Sequence, residues 1–140
     1  MTTKVTRKSN YDKIAKKISE ISSKKTKVGW FESSVYEDGT PAAVVAMANE
    51  FGRPSVPARS FMRTTAAEKN SEWRSDFGEL IKLSISGEKT INSCYDAIGS
   101  IASGDIRKKI SEITTPPLAA STIEMRKKKN KIATFDQFFH

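Results

Sequence analysis

Residues 41–63 read PAAVVAMANEFGRPSVPARSFMR, and the rest of the chain is organised around them. An apolar run from Ala42 to Ala48 breaks at Asn49-Glu50-Phe51-Gly52. Pro54 and Pro57 follow, and the stretch closes on Ala58-Arg59-Ser60-Phe61-Met62-Arg63. Thr40 is placed to cap a helix with Pro41 at its first position, where a missing N–H costs nothing. Residues 41–50 then predict a short, mostly buried helix, with Ala46 and Met47, or Val44 and Ala48, toward the core. Gly52 suits a left-handed cap at its end. The two prolines are expected to keep 53–57 extended, because each also restricts the residue before it. The stretch holds no recognisable nucleophile, base and metal set, so it reads as an element of shape.

Upstream, Tyr11, Ile14, Ile18 and Ile21 recur at helical spacing and predict an amphipathic helix over 10–22, with Ser9 or Asn10 as N-cap. Thr26 to Glu32 is rich in β-formers and too short for a helix, so it predicts a strand. Glu37-Asp38-Gly39-Thr40-Pro41 is a strong turn signal, which leaves Val35-Tyr36 as a short return strand or loop. Downstream, a long helix is expected from near Ala58 to about Ser84, with Phe61, Trp73, Phe77, Leu80 and Ile81 as its apolar stripe. Ser86-Gly87 breaks it. Ile91, Tyr95, Ile98, Ala102, Ile106, Ile110 and Ile113 hold phase for a second long helix, which Pro116-Pro117 follows. A short helix over 118–125 runs into a basic stretch, and 131–140 alternates weakly enough to be a strand pairing with 26–32. The expected fold is therefore α+β: a small antiparallel sheet packed against several helices, with one long central helix pair. A flexible basic arm over 1–9 precedes a single domain over 10–140, whose basic tail starts at about residue 126.

At 140 residues the chain has one domain's worth of length. Its single cysteine, Cys94, rules out an intramolecular disulfide. The longest apolar runs fall short of the roughly 18 residues of a membrane span, and the N-terminus has no apolar segment of signal-peptide type. Net charge is +8, distributed unevenly. Residues 1–28 hold nine Lys/Arg against two acids, and residues 29–90 hold seven against nine. Basic ends fit contact with nucleic acid or with an acidic protein surface.

Catalytic signatures are missing. The one histidine, His140, is the last residue of the sequence, a poor place to hold a general base. One His and one Cys offer no zinc spacing, and no phosphate-cradling glycine loop or nucleophile elbow occurs. No enzyme, metal or cofactor is expected. Trp73 and Phe77 fit core packing better than base stacking, and Cys94 fits an inert buried thiol. Arg126, Lys127, Lys128, Lys129 and Lys131 form the most credible electrostatic feature. Without interleaved aromatics they suggest phosphate or acidic-surface attraction, with no base readout.

Asn49-Glu50-Phe51-Gly52 followed by Pro57-Ala58-Arg59-Ser60-Phe61-Met62-Arg63 resembles the small neck or tail-completion proteins of long-tailed bacteriophages. Members of that family typically read NEFG, a few residues, then IPARPF(L/M)R. The resemblance covers roughly residues 10–127 and extends to Val28-Gly29-Trp30-Phe31, Asp38-Gly39, Pro116-Pro117-Leu118 and Ser121-Thr122. Two departures stand out. Ser60 replaces the usual proline, and the family's P-L-x-D-T-G segment and last strand are reduced to a reminiscent Asp136.

The resemblance implies a structural virion protein forming a ring, with sixfold symmetry, at the head–tail junction. That ring would join the tail tube to the head connector and let genomic DNA pass without reading it. It would be made in the host cytoplasm and partner other neck, connector and tail-tube proteins, with no membrane. Asn49, Glu50, Phe51, Gly52, Pro57, Arg59, Phe61 and Arg63 are its expected structural or interface residues. Within the motif, Phe51 and Phe61 are placed to anchor the loop in the core. Arg59 and Arg63, four apart, would share a helix face and meet carboxylates of this or a neighbouring subunit. An internal Glu50–Arg59 salt bridge is the rival arrangement. A basic DNA-binding or packaging accessory protein is the alternative function.

Overall fold

Where apolar residues recur at helical spacing, helix forms. The computed structural model describes the backbone of residues 7–128 and the side chains of residues 11–124. Five helices occur among them: α1 (Arg7–Ser23), α2 (Ala42–Phe51), α3 (Met62–Ser86), α4 (Ile91–Glu112) and α5 (Ala120–Lys128). These residues fall into two compact units. The first is built from residues up to Lys27 and from Ser71–Ile101, the second from Val28–Asn70 and the residues from Ala102 onward.

In the first unit the chain reverses between α3 and α4. The amides of Gly87, Glu88 and Lys89 return to the carbonyls of Ser84 and Leu83, which closes the last turn of α3. Gly87 takes φ 94°, a conformation open to a residue without Cβ. Thr90 then accepts the Ser93 amide at 3.1 Å as a side-chain cap for α4. Between the two helices Cys94 is fully buried, its thiol donating to the Leu80 carbonyl at 3.1 Å. Phe77 and Tyr95 meet edge to face, 5.1 Å apart. Polar contacts attach α1 to this pair. Lys17 Nζ donates to the carbonyls of Ser84 and Ile85, where a cation suits a helix C-terminus. The Tyr95 hydroxyl donates to the Ile21 carbonyl at 2.6 Å.

The core of the second unit is Ala46, Phe61, Ile106 and Ile110, with Val28, Trp30, Met62 and Ile113 packed against it. Trp30 meets Phe61 edge to face at 5.4 Å. Lys109 of α4 reaches Glu68 of α3 at 2.7 Å.

The expected α+β fold is corrected: the described residues are mostly helical and form no sheet. Residues 26–32 do not form a strand. Gly29 takes φ 157°, and the Ser34 amide turns back onto Phe31, so the extended run is cut short. Trp30 packs its side chain on Phe61 instead of on a pleated face. The proposed partner strand over 131–140 lies outside the described residues. Among the described residues, strand-like pairing is confined to two isolated bridges, Val35 with Pro41 and Arg53 with Val56. The first closes the Asp38-Gly39 turn, where Asp38 Oδ1 accepts the Thr40 amide. The second is made by two reciprocal bonds of 2.8 Å, so residues 53–56 double back where an extended path was expected.

Three further expectations shift. Pro41 stands at the N-cap of α2 with no side-chain cap, so Thr40 does not play that part. Only Ala46 and Glu50 of α2 are buried, while Val44 and Met47 are exposed. α3 begins at Met62, so Arg59 precedes it and shares no helix face with Arg63.

Candidate assembly site

The loop between α2 and α3 is closed by one carboxylate. Glu50, on the last turn of α2, is 4% exposed. Its Oε2 accepts the amides of Phe61 and Met62, both at 2.9 Å. Its Oε1 accepts the Ser60 hydroxyl at 2.7 Å, the Arg63 amide at 3.1 Å and Arg63 Nε at 2.9 Å. Three of these donors are backbone N–H groups at the start of α3, which have no partner within the helix. The Glu50 side chain therefore caps a helix that begins twelve residues later, and its charge faces the positive end of the dipole. Burial pushes the carboxyl upward, but the bonds from Ser60, Arg63 and the Met62 and Arg63 amides outweigh it. The group is held below the usual carboxylate range.

The remaining motif residues complete the same closure. The Asn49 carbonyl accepts the Arg59 amide at 2.6 Å, and Asn49 Nδ2 returns to the Val45 carbonyl. Gly52 takes φ 74°, and a Cβ there would stand 2.8 Å from the Ala58 amide nitrogen and 3.0 Å from the Val56 carbonyl oxygen. Its ψ of 174° is not that of the expected left-handed cap. Pro57 is exposed beside this close approach. Phe61 is fully buried, as an anchor should be. Phe51 is not: it is exposed, with the Arg63 guanidinium 4.5 Å above its ring. Arg63 also reaches the Glu50 carbonyl at 3.1 Å.

Arg59 is buried, and its Nε and Nη2 donate to the carbonyls of Pro116 and Pro117 at 2.8 and 2.7 Å. Burial pushes its pKa down. The salt bridge of this loop is thus Glu50–Arg63, at 2.9 Å, in place of the Glu50–Arg59 pair that the sequence offered as a rival arrangement. Arg126, Lys127 and Lys128 fall on α5, whose first residues follow the Pro116-Pro117 turn. Lys129 and Lys131 lie outside the described residues.

Sequence reasoning did not foresee the capping role of Glu50 or the docking of 116–117 on Arg59. Cap rules look one to three residues from a helix start, and Glu50 acts from twelve residues before Met62. One signal was available: Phe61 directly before the helix cannot cap it. Near the loop, Val28, Trp30, Val35, Tyr36, Ile106 and Arg107 line part of an open groove of about 370 Å³. Burial, and then the charge of Asp38, push the Tyr36 hydroxyl's pKa up. Among the described residues no group of three or more His, Cys, Asp or Glu stands together to hold a metal. No family model, curated protein or solved structure matches the chain.

Proposed function

We propose that the protein is a structural, ring-forming component of the head–tail junction of a tailed bacteriophage, joining the tail tube to the head connector around the passing DNA. One observation carries this reading. The two halves of the phage-neck-like motif, Asn49–Gly52 and Pro57–Arg63, are bonded to each other through Glu50. Glu50, Ser60 and Arg63 tie the end of α2 to the start of α3, as a rigid joint in an assembly part would require. The basic ends agree with DNA in the lumen. Electron microscopy of particles lacking the chain tests the proposal: heads without tails beside loose tails are expected, and normal particles overturn it. Its rival, a DNA-binding accessory, requires the chain to be absent from purified virions.

A further inference from the structure

Among the described residues, two helices carry exposed apolar stripes. On α1, Tyr11, Ile14 and Ile18 stand at i, i+3 and i+7, with exposures between 44% and 76%. On α2, Val44, Met47 and Phe51 repeat the same spacing, with exposures between 49% and 61%. Stripes of three large apolar residues along one face are what a helix presents to another helix. The charges beside them are opposite. Residues 1–27 hold nine Lys/Arg against two acids, and Lys13 and Lys16 are exposed on α1 itself. Residues 28–52 hold four acids and no Lys or Arg. Three of those acids, Glu32, Glu37 and Asp38, are exposed in the loop before α2.

We infer that α1 of one copy docks on the α2 face of a second copy, Ile14 and Ile18 against Met47 and Phe51, with the α1 lysines over the 32–38 loop. The occupant is a second copy because this chain supplies both halves of the match, in spacing and in sign. The surfaces differ, so the contact is head to tail and each copy keeps one free half for the next. Repetition closes a ring when the rotation permits. The inference rests on the self-assembly in the proposed function and names the surfaces that perform it.

Two measurements on the full chain test it. First, an Ile14→Cys variant and a Met47→Cys variant are oxidised separately and mixed, with buried Cys94 left in place. A disulfide-linked pair is expected only in the mixture. Linkage within the Ile14→Cys sample alone, or none in the mixture, overturns the contact. Second, sedimentation follows self-association of K13E/K16E and of E32K/E37K, all exposed positions whose melting curves should stay unchanged. Each pair of reversals is expected to weaken association by at least about tenfold, and mixing the two variants to recover it. Association that neither reversal weakens overturns the contact, as does a chain that stays monomeric while binding anionic vesicles through α1. Copies that associate without the Ile14–Met47 link leave the ring proposal standing. Copies that link, in a phage whose tails attach normally without the protein, remove the joining role and leave the contact.

Discussion

A carboxylate as buried as Glu50 would be pushed toward its neutral form by desolvation alone; five donors reverse that balance. Glutamine at this position has one acceptor oxygen, and its NH₂ would face amides that are themselves donors. Glu50→Gln is therefore expected to cost about 2–4 kcal/mol at neutral pH, read from urea denaturation. The sign with pH follows from the lowered folded pKa. The stabilisation is complete above the ordinary carboxylate value and fades as pH falls through the folded one, so the gap between wild type and Glu50→Gln should narrow in acid. A gap unchanged down to about pH 3 would show that the charge is not what holds the loop. Gly52→Ala tests the same closure by sterics. With positive φ and a Cβ at 2.8 Å from backbone, it should lose about 1–3 kcal/mol, where an open glycine would gain slightly.

At the scale of elements, Arg59 links the α2–α3 joint to the connection between α4 and α5. Removing it leaves the Pro116 and Pro117 carbonyls without this donor and empties a buried site. Arg59→Ala should cost about 2–4 kcal/mol and speed amide exchange at the start of α5. The helices themselves were largely legible in sequence. α1 and α4 match their isoleucine spacing within a few residues, and α4 runs through Gly99 and Gly104 unbroken. Gly99 has a reason: its missing Cβ would stand 3.0 Å from the Thr26 methyl, so the small residue admits the chain leaving α1. What sequence could not supply was pairing at a distance. Strand propensity in 26–32 is a preference for a half-buried pleated surface, and Trp30 found burial on Phe61 without one. Likewise the stripe on α1 was legible, but its exposure was not, because periodicity says that a face is apolar and not what covers it. On α2, spacing places Val44 and Met47 among the alternatives for the core for that reason, and both are exposed. Among the site residues, Phe61 could be assigned from residue type, whereas Gly52 departs from the expected left-handed cap and the roles of Glu50 and Arg59 depend on partners 11 and 57 positions away.

For the whole molecule the governing feature is the separation of charge along the chain. A net charge of +8 with an acidic middle does two things that salt distinguishes. In the proposed contact between copies, opposite charges flank apolar stripes, so added salt should weaken assembly only moderately while the apolar contact persists. In the proposed DNA contact, the lysines have no aromatic company to read bases, so binding should depend on phosphate neutralisation and fall steeply with salt. Replacing Arg126, Lys127, Lys128, Lys129 and Lys131 by glutamine is then expected to flatten the logarithmic salt dependence of duplex binding. The slope should fall by about 0.9 for each phosphate that is no longer neutralised, equally for unrelated sequences. Helix content and association of copies should not change, since neither proposed stripe includes these positions. A slope left intact would move the DNA contact to the N-terminal lysines, and weakening confined to one DNA sequence would contradict a lumen that passes any genome.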